Sequence, residues 1–150
     1  MSRPFRLRRS ELATPGTSEK MMTKAAQKHF VEQKYGKILN LSSVSALGNR
    51  GQANYSAAKM GVQGFTRTLG IELGPFGINA NAIAPGFFST ELTAPVVDDP
   101  VRWRRMAEST FARRNGELHD LRGTAVFLAS RASDYVTGQT IFVDGGFSAG

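Results

Sequence analysis

The segment KILNLSSVSALGNRGQANYSAAKMG, residues 37–61, decides how this chain folds. It starts with a short apolar run, passes through two serines into a loop rich in glycine and asparagine, and continues into residues that favour a helix. Alternation of strands and helices along a chain is typical of a parallel sheet with helices packed on its faces. The segment therefore predicts one strand–loop–helix unit of an α/β fold.

Two side chains of this segment have the spacing of a reactive pair. Tyr55 and Lys59 are four residues apart, which places them on one face of a helix. A free tyrosine has a pKa of about 10, and a neighbouring cation lowers that pKa by favouring the phenolate. A serine that follows the strand, Ser43, can hydrogen-bond a substrate oxygen as its charge changes. Together the three residues suit proton transfer at a carbonyl or alcohol oxygen.

Each of these signals is weak by itself. Many amphipathic helices carry a half-buried tyrosine beside a solvated lysine, and a serine after a strand usually serves as a cap or turn residue. The interpretation therefore depends on the whole segment and its surroundings.

The rest of the chain repeats the alternation. The glycines and proline of GPFG at 74–77 end the second helix, and Gly61, Gly64 and Gly70 within it indicate close packing against neighbouring elements. Helices are predicted over 19–34, 54–73, 101–111 and 118–130, and strands over 37–41, 78–84 and 139–143.

The segment 37–61 resembles the active-site segment of the short-chain dehydrogenase/reductase family in residue order and spacing. The resemblance continues in GINANAIAPGFFST at 77–90 and YVTGQTIFVDGGFS at 135–148, and it covers residues 21–150. Within the family, GNRGQANYSAAK is especially similar to 3-oxoacyl-carrier-protein reductases, with gluconate and other sugar-alcohol dehydrogenases as close relatives. The resemblance implies a partial doubly wound, Rossmann-like parallel sheet that lacks the family's N-terminal strands.

The resemblance also assigns roles to the reactive residues. It implies that Tyr55 is the acid–base residue, that Lys59 lowers the pKa of the Tyr55 phenol and hydrogen-bonds the nicotinamide ribose, and that Ser43 orients the substrate oxygen. Ser42 is the alternative for the role of Ser43. The implied activity is NAD(P)-dependent interconversion of a carbonyl and an alcohol, with NADP slightly preferred over NAD.

A second stretch is implied to lie beside the nicotinamide. Pro85, Gly86 and Thr90 match that stretch of the family, and with Tyr55 and Lys59 they are the expected cofactor-binding residues. Asn81 matches an asparagine for which support of a turn is the expected role, and residues 88–115 match the substrate lid. The implied substrates are small carbonyl or alcohol compounds or acyl thioesters, and the implied assembly is a homo-oligomer.

The chain departs from the family pattern at two points. The glycine-rich turn that approaches a pyrophosphate at a helix N-terminus has no counterpart near residue 1, and the glycines at 70–77 follow a helix rather than a strand. The family asparagine that supports a proton-relay water cannot be assigned. These departures support an alternative hypothesis, a truncated and non-catalytic fragment that acts at most as an association module.

Composition excludes several other classes. The chain has 150 residues, enough for one domain, and no cysteine, so neither disulfides nor thiolate metal ligands hold it together. His29 and His119 lack metal-ligand spacing, and no metal site is predicted. The net charge of +7 invites a nucleic-acid partner, but no nucleic-acid motif accompanies it. No apolar run has the length of about 20 residues needed to span a bilayer, so a soluble cytoplasmic protein is expected.

The N-terminal residues differ from the rest. Residues 1–20 are polar, contain Pro4, Pro15 and Gly16, and lack a sustained apolar period. They are interpreted as an unrelated and disordered segment that precedes the family domain at 21–150. A transit peptide is the minor alternative, disfavoured by Glu11 and Glu19.

Overall fold

The computed structural model describes residues 17–90 and 93–150, without the side chains of residues 17, 18, 95 and 96. The described helices are α1 (Thr17–Gln33), α2 (Ala53–Leu73), α3 (Ala94–Val97), α4 (Pro100–Glu108) and α5 (Asp120–Ala129). The described strands are β1 (Gly36–Leu41), β2 (Ile78–Pro85) and β3 (Thr140–Val143). Most of the predicted segment 1–20 lies outside the described residues, and its boundary with the following domain stays a prediction.

The three strands form one parallel sheet in the order β1-β2-β3. Leu41 at the end of β1 is opposite Ile83 on β2, and Pro85 at the end of β2 is opposite Val143 at the end of β3. All three strands therefore end at the same edge of the sheet, which we call the carboxyl edge. The prediction of an α/β fold with a partial parallel sheet is confirmed.

The hydrophobic core lies between the sheet and one layer of helices. Leu69 and Leu73 of α2 are fully buried against Ile78 and Ala80 of β2. Partly buried apolar residues from α1, β1 and the end of α2 complete this cluster, namely Phe30, Val31, Ile38, Phe65 and Phe76. The helix α5 contacts all three strands. Asp134, which follows α5, pairs with Lys37, whose side chain lies on the face of the sheet opposite to this core.

The end of α2 follows the prediction from GPFG. A single 3₁₀ turn spans Gly74–Phe76, and Gly77 has a φ of 77°, in the left-handed region that favours glycine. The chain then enters β2 at Ile78. This stop sets the register between α2 and β2, and thereby fixes where the first turn of α2 meets the carboxyl edge.

The predicted helix 101–111 is shorter at its end in the structure. Asp99 caps α4 by accepting from the backbone amides of Val101 and Arg102. Beyond Glu108, the hydroxyl of Ser109 donates to the Met106 carbonyl oxygen at 2.7 Å and that of Thr110 to the Ala107 carbonyl oxygen at 2.9 Å. These hydroxyls take over carbonyls of the last turn and so end the helix, a local competition that apolar periodicity does not reveal.

Within the single chain, the expectation of close packing around the α2 glycines is wrong for two of the three. Only Gly70 lies against another segment, at Gly138, whereas a side chain at Gly61 or Gly64 would meet open space. Gly61 and Gly64 are exposed in the described structure. Glycine content alone cannot distinguish a packed helix face from an exposed one.

Candidate active site

Several residues that the sequence analysis selected lie at the carboxyl edge or on the first two turns of α2. Ser42 and Ser43 directly follow β1, and Gly86 directly follows β2. The first turn of α2 carries Tyr55, and the next turn carries Lys59. Because Ser42 continues the pairing of β1 by donating its backbone amide to the Ile83 carbonyl oxygen at 2.8 Å, the two strand ends stay side by side.

The two serines have different environments. The side chain of Ser42 is buried, with 2% of the residue exposed, and its hydroxyl donates to the Lys59 carbonyl oxygen at 2.9 Å. Ser43 is only partly buried, and its hydroxyl accepts from the Ser45 amide at 3.1 Å, which caps a 3₁₀ turn over Val44–Leu47. The Ser43 proton remains available to a substrate oxygen, whereas Ser42 is committed to the protein. This difference favours Ser43 over Ser42 as the substrate-facing serine.

Lys59 connects α2 to the end of β1. Its ammonium donates to the Leu41 carbonyl oxygen at 2.7 Å and lies 5.8 Å from the centroid of the Tyr55 ring. An ammonium group has three N–H donors, so this contact leaves two of them for other partners. The spacing of Tyr55 and Lys59 thus brings phenol and ammonium together on one helix face, as expected for neighbouring turns.

Tyr55 lies in an open depression at the start of α2. The residue is 46% exposed, so its hydroxyl can be reached from solvent. The depression has a volume of about 750 Å³ and is lined by loop and helix residues with small or amide side chains, namely Gly48, Asn49, Gly51, Gln52, Ala53, Asn54 and Ser56. A polar small molecule can approach the phenol from this side.

Pro85 is the last residue of β2 and Gly86 directly follows it at the carboxyl edge. The Gly86 amide donates to the Val143 carbonyl oxygen at 2.9 Å, which extends the pairing of β2 with β3. A Cβ atom at Gly86 would lie 2.7 Å from the Asp144 Cα atom, so the glycine is required by contact with the backbone after β3. This glycine has a structural reason for its presence, independent of any ligand.

Thr90 is not joined to the other candidate residues by the described hydrogen bonds. Its amide donates to the Thr93 hydroxyl at 2.8 Å, and its own hydroxyl lies 3.2 Å from that of Thr93. The Thr93 hydroxyl also donates to the Phe88 carbonyl oxygen at 2.8 Å, which closes the loop on itself. Thr90 is exposed on this loop.

An ion pair between Arg114 and Asp120 joins the segment after α4 to the start of α5. Arg114 binds Asp120 through two nitrogen–oxygen contacts of 2.6 and 2.8 Å, and Asp120 also accepts from the Glu117 amide at 2.9 Å. The hydrogen bonds from Arg114 and then from Glu117 lower the pKa of Asp120 below its ordinary value of 3.8. The hydrogen bond to Asp120 raises the pKa of Arg114.

Trp103 of α4 packs edge-on against Phe87, with 5.7 Å between the ring centroids, and this contact sets the helix over the end of β2.

Asn81 supports a turn, as the sequence analysis expected. It is buried on β2, donates its side-chain amide to the Val136 carbonyl oxygen at 2.8 Å, and accepts from the Gln139 amide at 3.1 Å. These bonds hold the loop that leads into β3. They also account for a fully buried polar side chain in the middle of a sheet.

Gln63 belongs to the site and was missed by the sequence analysis. It is buried on α2, and its amide donates to the Ser42 hydroxyl at 3.1 Å. The signal was its position four residues after Lys59, which places both on one helix face. A polar residue there is informative only once the packing of α2 on β1 is known.

The described residues contain no group of three or more histidine, cysteine, aspartate or glutamate side chains that could hold a metal ion. None of the helices in that part of the chain has the length and apolarity needed to cross a membrane.

Comparison with known proteins gives consistent matches. The sequence profile described as enoyl-(acyl carrier protein) reductase matches residues 12–148. A 3-oxoacyl-[acyl-carrier-protein] reductase of Synechocystis is 44% identical over 128 residues, which are 84% of this chain and 50% of that protein. A 5-keto-D-gluconate 5-reductase of Escherichia coli is 40% identical over 136 residues, 90% of this chain and 54% of that protein.

A solved structure has the same architecture. The gluconate 5-dehydrogenase from Burkholderia cenocepacia, crystallised with NADP and tartrate, superposes with a TM-score of 0.87 at 37% identity. The superposition covers 94% of this chain and 56% of that one. The chain thus spans about half the length of the curated relatives it matches.

Proposed function

This chain belongs to the short-chain dehydrogenase/reductase family, and on that premise we propose that it carries the catalytic residues for NAD(P)-dependent interconversion of a carbonyl and an alcohol. The observation that supports the proposal most directly is the Lys59 ammonium, bound to the Leu41 carbonyl oxygen and 5.8 Å from the Tyr55 ring. The arrangement places a cation beside an exposed phenol at the carboxyl edge, where ligands of open parallel sheets bind.

The residues at this edge fit the nicotinamide end of a dinucleotide. The two N–H donors of Lys59 that Leu41 leaves open suit ribose hydroxyls, and the exposed Thr90 suits a polar group of the cofactor. Pro85 and Gly86 would form the surface between them. The loop after β1 contains Gly48 and Gly51, but it first forms a 3₁₀ turn over Val44–Leu47. Among the described residues, none of the three strands passes through a G-x-G-x-x-G turn directly into an α-helix, so the proposed fit concerns this end of the cofactor.

The chain's own residues would handle the proton and the substrate oxygen. A bound nicotinamide dinucleotide supplies or accepts the hydride. In the reducing direction, the Tyr55 hydroxyl gives its proton to the substrate carbonyl oxygen, and the adjacent Lys59 cation stabilises the phenolate left behind. The Ser43 hydroxyl donates to the same oxygen and orients it. In the oxidising direction the proton returns from the alcohol to Tyr55.

Two substrate classes follow from the relatives. A 3-oxoacyl thioester agrees with the Synechocystis reductase, and a keto sugar acid agrees with the Escherichia coli reductase and the Burkholderia dehydrogenase. The amide side chains of Asn49, Gln52 and Asn54 around the depression offer hydrogen bonds to either class.

The test combines cofactor binding with turnover. Fluorescence titration with NADPH and NADH is followed by assays with an acetoacetyl thioester and with 5-keto-D-gluconate. Because the described residues contain no such turn for the pyrophosphate, we expect weak dinucleotide binding and slow turnover. Tyr55→Phe should lower that turnover by about 10²–10⁴-fold, since it removes the proton donor. The control is Tyr135→Phe, a fully exposed tyrosine that precedes β3. Turnover unaffected by Tyr55→Phe would refute the site.

A second candidate function, an association module, is favoured by an exposed helix face. Ala57, Gly61 and Gly64 of α2 are exposed and small, and β1 is an edge strand with Leu41 more than half exposed. Small residues let a second backbone approach closely, and exposed edge strands invite pairing. We therefore propose that the chain forms homo-oligomers.

Light scattering at micromolar concentration tests the association. We expect a mass above that of one chain, and Gly64→Glu should reduce it, because the added side chain meets open space within the chain and can clash only with a partner. Ala132→Glu, at an exposed position after α5, is the matched control. A single-chain mass for the unmodified protein would count against oligomer formation.

A further inference from the structure

Lys59 is held at two points by consecutive residues at the end of β1. The Leu41 carbonyl oxygen accepts from the Lys59 ammonium at 2.7 Å, which fixes the tip of the side chain. The Ser42 hydroxyl donates to the Lys59 carbonyl oxygen at 2.9 Å, which fixes the backbone of the same residue. The direction in which the ammonium points therefore depends on how Ser42 holds this turn of α2.

Ser42 has a defined hydrogen-bond direction. Its backbone amide is bound to the Ile83 carbonyl oxygen, so its position belongs to the sheet. Its hydroxyl accepts from the Gln63 amide nitrogen at 3.1 Å. A hydroxyl has one proton, and the Gln63 contact occupies its acceptor side, so the proton is directed to Lys59.

Gln63 is an unusual residue for its place. It lies on the face of α2 that packs on the sheet, with 8% of the residue exposed. Its neighbours Val62 and Thr66 on the same helix are also buried. Burial of an amide costs free energy unless its groups are hydrogen-bonded, and an apolar side chain would avoid that cost. The hydrogen bond to Ser42 offsets part of the cost of burying the amide at this position.

We propose that Ser42 and Gln63 are a positioning pair for Lys59. Gln63 orients the Ser42 hydroxyl, Ser42 holds the Lys59 turn against the strand end, and the ammonium consequently reaches Leu41 next to Tyr55. Neither residue contacts the reacting atoms in this scheme. The inference rests on the proposed function only for the role given to Lys59, because the contacts themselves are independent of catalysis.

The experiment measures the accessibility of Lys59 rather than turnover. Reductive methylation of the folded chain, followed by mass spectrometry of its peptides, gives the modification rate of Lys59 relative to the exposed Lys24. Ser42→Ala and Gln63→Leu should each raise the Lys59 rate about fivefold, as expected for loss of one ordinary hydrogen bond. The double variant should exceed neither single variant, since both act through the same contact.

Thr66→Val is the matched control. Thr66 lies three residues after Gln63, is fully buried and hydrogen-bonds the Asn40 side-chain amide at 2.9 Å and the Val62 carbonyl oxygen at 2.8 Å rather than Lys59 or Ser42. Its loss should lower stability without changing the relative Lys59 rate. An equal rise in Thr66→Val, or no rise in Ser42→Ala, would overturn the proposal. Should Gln63→Leu fail to fold by circular dichroism, Ser42→Ala decides the outcome. Failure of dinucleotide binding or turnover would refute the proposed function while leaving these rates unchanged.

Discussion

Lys37 lies at the amino edge of the sheet, where the strands begin, and Lys59 lies at the carboxyl edge, where they end. The two lysines differ in their binding partners and in their exposure. At the amino edge, Lys37 of β1 donates to the Asn79 side-chain oxygen at 2.8 Å and pairs with Asp134 at 2.7 Å, leaving 7% of its side chain exposed. At the carboxyl edge, Lys59 has one backbone carbonyl as its hydrogen-bond partner within the described residues and remains partly exposed.

The partners determine what each lysine can do. The charge of Lys37 is compensated by a carboxylate, and two of its three donors are directed at groups from β2 and the segment after α5, so it ties these elements together. The charge of Lys59 meets no carboxylate in the described part of the chain, and the Tyr55 ring lies beside it. A buried lysine paired with a carboxylate contributes to stability, whereas a partly exposed lysine with no carboxylate partner is available for chemistry.

Replacing each lysine by methionine tests this contrast, and the largest expected effect is on turnover. Lys59→Met should lower any carbonyl reduction about 10²-fold or more, because the phenolate loses its stabilising cation. Lys37→Met should leave the rate per folded molecule unchanged. The measurement is initial-rate kinetics of both variants with NADPH. Equal losses in the two variants would contradict the contrast.

The stability effects should run the other way. Lys37→Met leaves the Asn79 oxygen and the Asp134 carboxylate without their donor, and we expect the free energy of unfolding to fall by about 1–3 kcal/mol. Lys59→Met should lower it by less, because it frees only the carbonyl oxygen of Leu41, a residue that is more than half exposed and can be hydrated instead. Urea unfolding at neutral pH distinguishes the two. A larger loss in Lys59→Met would show that the carboxyl edge depends structurally on its lysine.

The smallest expected effect concerns the ion pair near the carboxyl edge and its pH dependence. Arg114 lowers the pKa of Asp120 below the ordinary 3.8, so the native state holds this carboxylate ionised more strongly than the unfolded chain does. The stabilisation is present above about pH 4 and is lost as the pH falls through the native pKa.

Asp120→Asn should therefore be less stable than the unmodified chain at neutral pH, with a difference that shrinks in acid. Urea midpoints from neutral pH down to about pH 3 measure this trend. Arg114→Gln should remove the same acid-dependent part, because it deletes the other half of the pair. A difference that stays constant down to the lowest pH would show that Asp120 acts through packing rather than charge.

The sequence was sufficient for the order of the three strands and of four of the five described helices, with the short α3 missed. Apolar runs of strand length, the helix stop at 74–77 and the i, i+4 spacing of Tyr55 and Lys59 are all local properties. Parallel strands end at one edge, so residues that follow different strands had to meet there. The site assignment itself remains a proposal from the resemblance and this placement.

The same local patterns were insufficient wherever a residue's partner lies far away in the chain. Ser42 and Ser43 are adjacent serines, yet one is buried against Lys59 and the other caps a turn. Gly61 and Gly70 lie on one helix, yet only Gly70 is packed. Each of these outcomes depends on the register and rotation of α2 against β1.

By itself, then, the sequence determined an α/β chain whose candidate site residues lie just after strands or on the helix that follows the first strand, because periodicity, turn residues and helix spacing are short-range properties. Only the tertiary structure decided that Lys37 is buried beside a carboxylate while Lys59 binds one backbone carbonyl, and that the Gln63 side chain reaches Ser42. The physical reason is that burial and hydrogen-bond partners arise from contacts between segments about 20 to 100 residues apart, which strand pairing and helix packing bring together.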